Sequence, residues 1–321
     1  MLLLFARPIP EPAETIRAAL SDALAHYRPV AGRLAAEGDG ELLRIEGAAG
    51  VTEFPCGGFA VAGTWNHVLT DGEGMAQLMG VIGEFVRGAS PTPSVVPLRA
   101  DDGSLPCLSH SMVATQKRAL SCVFNRDLAL LDVIVPAGLI GRVRAEFDAA
   151  GLSDPWTVFE AVAAVLWQCW TRAAIVSVSD EPPMALSFSA NVRRLVGASH
   201  GYYGNCTVVQ SLTATRGAVV HNTADVARLI QRLARGADLL APGNGGAGTA
   251  AEHGVAQLYN TLVVSSWRNL GFEAVDFGII SISDVPDFPA LRRTLLCLAP
   301  RVANLPEDVK KELEDPNNRC L

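Results

Sequence analysis

The stretch Gly58-Phe59-Ala60-Val61-Ala62-Gly63-Thr64-Trp65-Asn66-His67-Val68-Leu69-Thr70-Asp71-Gly72 is followed by a change of periodicity, and that change decides how the chain around it is read. Up to Trp65 the residues are apolar and small, which suits a strand that another backbone or a ligand can approach closely. From Gly72 the apolar positions recur at helical spacing. Met75, Leu78, Met79, Ile82, Phe85 and Val86 form one stripe, Glu73 sits favourably in the first turn, and Gly88 ends the helix. His67 thus stands at a strand-to-helix corner, where side chains often line a cleft. Near neutral pH an imidazole accepts the proton of a bound hydroxyl or amine and can later return one to a thiolate. Asp71 is placed to cap the helix or to bind a cation, and Gly72 tolerates backbone angles that a larger residue resists. A His-x-x-x-Asp pattern is short and recurs by chance, so the rest of the chain has to carry the reading.

Upstream, Ile16, Leu20, Ala23, Leu24 and Tyr27 lie on one side of a helix that starts after Pro12 and is ended by Pro29. Asp39-Gly40 makes a tight turn between Arg33-Leu34-Ala35-Ala36 and Leu42-Leu43-Arg44-Ile45, a hairpin signal. Downstream, Gly88 to Pro106 carries Pro91, Pro93 and Pro97 and reads as a long connection. Leu139, Ile140, Val143 and Phe147 then mark a helix closed by Gly151. Val158, Val162, Leu166 and Trp170 mark another, signalled by Asp154-Pro155. Strands are expected at 184–190, 206–212, 262–266 and 275–282, with Thr223 capping a helix that carries Val226, Leu229, Ile230 and Leu233. The fold class is α/β, mixed sheets with flanking helices, without an internal repeat.

Composition narrows the function. The 321 residues are 49% hydrophobic, so the chain can bury a sizeable core, and only 18% are charged, with a net charge of -7. That balance offers no basic surface for nucleic acid. The apolar opening Met1-Leu2-Leu3-Leu4-Phe5 is cut short by Arg7, Pro8 and Pro10, and no stretch reaches membrane-spanning length, which leads us to expect a soluble, cytoplasmic protein. Seven widely spaced cysteines, none in a C-x-x-C pair, point to neither a disulfide framework nor a metal site. Gly243-Asn244-Gly245-Gly246-Ala247-Gly248 has a dinucleotide-like spacing but follows Pro242 rather than a strand, so it reads as a loop. Asn205-Cys206-Thr207 has the form of a glycosylation acceptor, with no secretion signal beside it.

Several blocks then line up in order. They are Leu20-Ser21-Asp22-Ala23-Leu24, Arg28-Pro29-Val30-Ala31-Gly32-Arg33-Leu34, Phe54-Pro55-Cys56-Gly57-Gly58-Phe59 and Trp65 to Gly72. Further along come 157–167, Asn191-Val192-Arg193, Gly201-Tyr202-Tyr203-Gly204-Asn205, Val264-Ser265-Ser266-Trp267 and Val275-Asp276-Phe277-Gly278. This series resembles the plant BAHD acyl-CoA-dependent acyltransferases, of the chloramphenicol acetyltransferase-like superfamily, over about residues 5 to 278.

The resemblance implies two similar domains joined by a long crossover, with the catalytic histidine in a channel between them. The expected division is an N-terminal domain at 1–88, a crossover at 89–125, a C-terminal domain at 126–280 and an unrelated tail at 281–321. The implied reaction is transfer of an acyl group from an acyl-CoA co-substrate to an alcohol or amine, with no permanently bound cofactor and no metal, by a monomer. By resemblance, His67 is the general base and Trp267 supplies an oxyanion donor, with Ser265 nearby as a substrate-binding residue. Asp71 pairs with an arginine, nominated as Arg193, and Gly72, Asp276 and Gly278 are structural.

The chain also departs from the family pattern. A strand and loop expected before the first helix are missing, and a long stretch is absent between Val51 and Thr52. The family's Asp-Phe-Gly-Trp-Gly is here Asp276-Phe277-Gly278-Ile279-Ile280. Beyond it, Val309 and Leu313 among charged residues read as one short exposed helix. These departures keep a second reading open, that of a catalytically silent relative that binds a coenzyme A ester or a partner protein.

Overall fold

Strand β3, Phe59–Thr64, is flanked on both edges. It pairs antiparallel with β1, Leu2–Phe5, and with β2, Ala48–Glu53, in the order β1-β3-β2. The computed structural model describes residues 1–31, 48–88, 92–99, 137–149, 157–173, 183–234, 261–278 and 295–298. Two compact units account for the chain. The first is built from Met1–Cys107, Asn191–Thr207 and Trp267–Thr294, the second from Leu108–Ala190, Val208–Ser266 and Leu295–Leu321.

In the first unit the register sets Phe5 opposite Phe59, and their rings stack at 4.9 Å with Phe277 beside them. Helix α1, Pro12–His26, and helix α3, Gly72–Val86, close the core by burying Ile16, Ala19 and Ala23 against Met75, Leu78, Met79 and Ile82. The buried face of α3 includes Ala76 and Val81 beside the stripe read from the sequence, as a helix flanked on two sides requires. Helix α1 ends at His26, earlier than Pro29 demands. Tyr27 is its C-cap, and Pro29 sits inside the short helix α2, Arg28–Ala31, where a missing N–H at a helix start costs nothing.

A strand does precede the first helix, contrary to expectation: β1 lies on the β3 edge, and the Met1 ammonium donates to the Gly63 carbonyl at 3.0 Å. The junction of Val51 and Thr52 falls inside β2, where both residues keep the ladder with Val61 and Ala60.

Among the described residues the second unit holds a sheet of order β5-β4-β6-β7 and four helices. The strands are β4 (Met184–Asn191, whose last residue enters the first unit), β5 (Thr207–Ala214), β6 (Thr261–Ser266) and β7 (Leu295–Leu298). Strand β6 runs parallel to β4 and antiparallel to β7, so the region beyond 281 contributes a strand that the sequence did not announce. The helices are α4 (Ala137–Ala149), α5 (Val158–Ala173), α6 (Arg216–His221) and α7 (Thr223–Ala234).

Helix α5 buries Ala161, Ala164, Trp167, Gln168 and Thr171 rather than the expected Val158–Trp170 stripe. Small alanines let neighbouring backbones approach, and the larger residues flank that contact, with Leu166 and Trp170 half-buried against the core. Asn222, not Thr223, caps the start of α7, its Oδ1 accepting from the Ala224 N–H at 2.8 Å. Thr223 instead donates to Gln168 at 2.8 Å.

No strand forms over 275–278. Phe272–Ala274 is a 3-10 turn and Val275 is its C-cap. The expected hairpin at Asp39-Gly40, the Gly-rich 243–248 segment and the helix near Val309 lie outside the described residues. Among the described residues no helix is long and apolar enough to cross a membrane.

Candidate active site

The turn between β3 and α3 is built by its own polar side chains. Asn66 accepts from the Val68 N–H through Oδ1 at 2.9 Å and from the Leu69 N–H through its carbonyl at 3.0 Å, which folds the chain back at His67. Leu69, Thr70 and Asp71 point inward while His67 and Val68 face solvent. An exposed imidazole thus sits on a turn whose far side is locked into the core.

Asp71 is 2% exposed and its carboxylate receives four donors. Oδ1 accepts from the Gly74 N–H at 3.1 Å, which caps α3, and from Arg193 Nη2 at 2.7 Å. Oδ2 accepts from Arg193 Nη1 at 2.9 Å and from the Cys206 N–H at 3.0 Å. A two-pronged guanidinium contact of this kind is strong and fixes geometry. Arg193 also donates to the Gly204 carbonyl at 2.8 Å and stands 3.6 Å from Glu73. Burial works against the Arg193 charge, yet the hydrogen bonds and charge of Asp71, then Glu73, raise its pKa above the ordinary arginine value. Burial likewise pushes the Cys206 thiol up. Asp71 therefore faces Arg193 and the helix start.

The partner of the imidazole comes from elsewhere. Asn205 Oδ1 lies 3.0 Å from His67 Nδ1, and Asn205 Nδ2 donates to the His67 and Val68 carbonyls at 2.5 and 3.0 Å. Sequence reading assigned no role to Asn205, although it closes the Gly201–Asn205 block. An amide whose Nδ2 is engaged by two carbonyls turns its oxygen toward Nδ1, where it can accept a hydrogen carried by that ring nitrogen.

The two glycines near the helix start serve packing. Gly72 does not have a positive φ. A Cβ there would meet the tip of the Leu270 side chain, 2.6 Å from Cδ1, so a larger residue asks that side chain to shift. A Cβ at Gly74 would run into the Tyr203 carbonyl, which itself accepts from Thr70 Oγ1 at 2.5 Å.

Trp267 is half-buried, with its ring 6.2 Å from Trp65 and 5.9 Å from Phe272, nearly parallel to the latter. Asp276 and Gly278 lie at the other end of α3. Arg87 bonds the Asp276 carbonyl and stands 3.3 Å from its carboxylate, and the Gly278 N–H donates to Asp276 Oδ1 at 2.8 Å, with φ at +83°. A 15-residue helix is about 20 Å long, so this turn anchors the C-terminal end of α3 far from the Asp71 cap. The first unit thus gathers His67, Asp71, Gly72, Arg193, Trp267, Asp276 and Gly278, whereas Ser265 belongs to the second unit, on β6. Among the described residues no cluster of His, Cys, Asp and Glu could hold a metal ion.

Known proteins give this geometry a context. A family model described as Transferase family matches residues 47–126 and 142–281, more than half of the chain. Acyl transferase 15 of Oryza sativa subsp. japonica is 32% identical over 369 residues, covering 94% of this chain and 82% of the relative. That alignment is longer than this chain of 321 residues, so the relative carries internal segments that are absent here. The fold is similar to the crystal structure of vinorine synthase, with a TM-score of 0.68 at 15% identity over 97% of this chain and 89% of that one. It is also similar to TRI101 of F. sporotrichioides, crystallised with coenzyme A and T-2, with a TM-score of 0.60 at 14% identity over 86% and 81% of the two chains. The mixed α/β build is therefore of the chloramphenicol acetyltransferase-like kind, and the chain belongs to the Transferase family, the BAHD acyltransferases.

Proposed function

We propose that this protein transfers an acyl group from an acyl-CoA thioester to an alcohol or amine, with His67 as general base. The observation that carries the reading is the Asn205–His67 pair. It favours hydrogen on Nδ1 and leaves Nε2 of an exposed imidazole ready to take a proton.

In this mechanism Nε2 accepts the proton of the acceptor hydroxyl or amine as its heteroatom attacks the thioester carbonyl. A tetrahedral intermediate forms, its oxyanion faced by a donor from Trp267. Collapse of the intermediate breaks the C–S bond, and the imidazolium returns the proton to the departing coenzyme A thiolate, so proton and electron pair are both accounted for. The Asp71–Arg193 pair holds the turn rather than touching the imidazole, which agrees with Asp71 being fully engaged by Arg193, Gly74 and Cys206. In this reading Ser265 contacts the substrate, while Gly72, Asp276 and Gly278 shape the two ends of α3. Coenzyme A as the donor carrier is supported by the relationship to TRI101, crystallised with coenzyme A.

The test is thiol release from acetyl-, benzoyl-, malonyl- and hydroxycinnamoyl-CoA with a panel of alcohols and amines. Turnover with at least one pair, abolished in His67→Ala, is the expected result. Measurable coenzyme A binding with no turnover from any pair would instead favour the silent relative.

A further inference from the structure

Four successive carbonyl oxygens in the His67 turn each accept a hydrogen bond from a side chain. Asn205 Nδ2 serves His67 and Val68 at 2.5 and 3.0 Å, Arg99 Nη1 serves Leu69 at 3.2 Å, and Trp65 Nε1 serves Thr70 at 3.1 Å. These donors come from three separate parts of the first unit, so side chains, not a repeating backbone ladder, satisfy this row of acceptors. Arg99 is brought to the turn by its neighbour. The Leu98 N–H donates to the Gly201 carbonyl at 2.8 Å and its carbonyl accepts from the Tyr203 N–H at 3.0 Å, which lays the segment along the 201–205 loop that also carries Asn205.

Trp65 also makes an aromatic contact. Its ring packs at 6.2 Å on Trp267, which in turn stacks on Phe272 at 5.9 Å. One indole therefore bonds the turn that presents His67 and packs against the residue read as the oxyanion donor. Offset and tilted aromatic pairs hold preferred geometries beyond simple burial, so the ring contact transmits position as well as filling space.

We propose that Trp65 and Arg99 are positioning residues of the acyl-transfer site, and that Trp65 sets the spacing between His67 and Trp267. This inference rests on the reading of His67 as base and Trp267 as donor. Neither Trp65 nor Arg99 touches the reacting atoms; they act through the turn and through the Trp267 ring.

Trp65→Phe keeps an aromatic ring and removes the N–H. With whichever acyl-CoA and acceptor pair turns over in the assay above, kcat should fall about ten- to a hundredfold with KM within about twofold, because a displacement of about 1 Å at a reacting group has that effect on rate. Arg99→Gln should lower kcat in the same way and serves if Trp65→Phe does not fold. Hydrogen exchange supplies a readout independent of turnover: the amides of 66–71 should exchange at least about tenfold faster in both variants, with the β1-β3-β2 ladder unchanged. Wild-type kcat in both variants alongside an inactive His67→Ala overturns the proposal, as does unchanged exchange at 66–71. Turnover surviving in His67→Ala overturns the base assignment instead, which is a separate failure.

Discussion

Asn205 reaches His67 across 138 residues of sequence, with Oδ1 3.0 Å from Nδ1 and Nδ2 on the carbonyls of His67 and Val68. The same amide therefore orients the ring and holds the turn beneath it. Replacing it by Ala should lower kcat about ten- to a hundredfold, the range typical of a lost orienting partner, while KM changes little. Asn205→Asp separates the two effects. It keeps an oxygen facing Nδ1 and removes the donor to the two carbonyls, so kcat should fall less than in Asn205→Ala; steady-state kinetics of the two variants give the order.

Breaking the Asp71–Arg193 pair should be felt in stability first. Both side chains are largely buried, and removing one partner of such a pair costs about 3–5 kcal/mol, with the lost helix cap adding about 1 in Asp71→Ala. Asp71→Asn keeps an acceptor for Gly74 and should cost less. Urea unfolding of the three proteins gives the order, and a loss below 1 kcal/mol in Asp71→Ala would contradict this account.

Glycines within α3 should respond in opposite directions. A Cβ at Gly74 meets the Tyr203 backbone, which cannot swing away, so Gly74→Ala should destabilise by about 1–3 kcal/mol or more despite the better helix propensity of alanine. Nothing lies within 4 Å of a Cβ at Gly80, so Gly80→Ala should stabilise by up to about 1 kcal/mol. Thermal melts of the pair test the sign.

Tyr27 has a pKa pushed up to about 12, first by burial and against the pull of its hydrogen bond to Gln77, with the charges of Tyr203 and Glu84 adding to the rise. The neutral phenol is favoured in the folded state. Its contribution is fully present below the ordinary tyrosine value of 10.0 and is lost as pH rises from there through about 12, because the unfolded chain gives up the proton first. Denaturation midpoints measured over that window should fall more steeply in wild type than in Tyr27→Phe.

Much of the fold was legible where the signal was local. The apolar spacing of α3 repeats within one element, so Met75, Leu78, Met79 and Ile82 declared their face in the sequence. Strand β2 did not declare itself. Ala48-Ala49-Gly50-Val51-Thr52-Glu53 has little strand propensity and is a strand because β3 offers it an edge. The buried side of α5 was misread for a related reason: what its alanines pack against is decided by helices more than forty residues away, which hold Gln168 through Val219 and Thr223.

His67, Asp71 and Arg193 could be nominated from ordered blocks of residues alone, because residue types and their order are properties of the chain. The sequence by itself thus determined the mixed α/β class, the family and the corner that carries the imidazole. Only the tertiary structure decided that Gly74 and Cys206 join Arg193 in engaging Asp71, that Asn205 faces the ring, and that Arg99 and Trp65 complete the row of donors beneath it. Hydrogen bonds between side chains and carbonyls depend on distances of about 3 Å and on direction, and such limits are met only once the core has fixed where the backbones run, whether the partners are five residues apart, as Trp65 and Thr70, or 138, as Asn205 and His67.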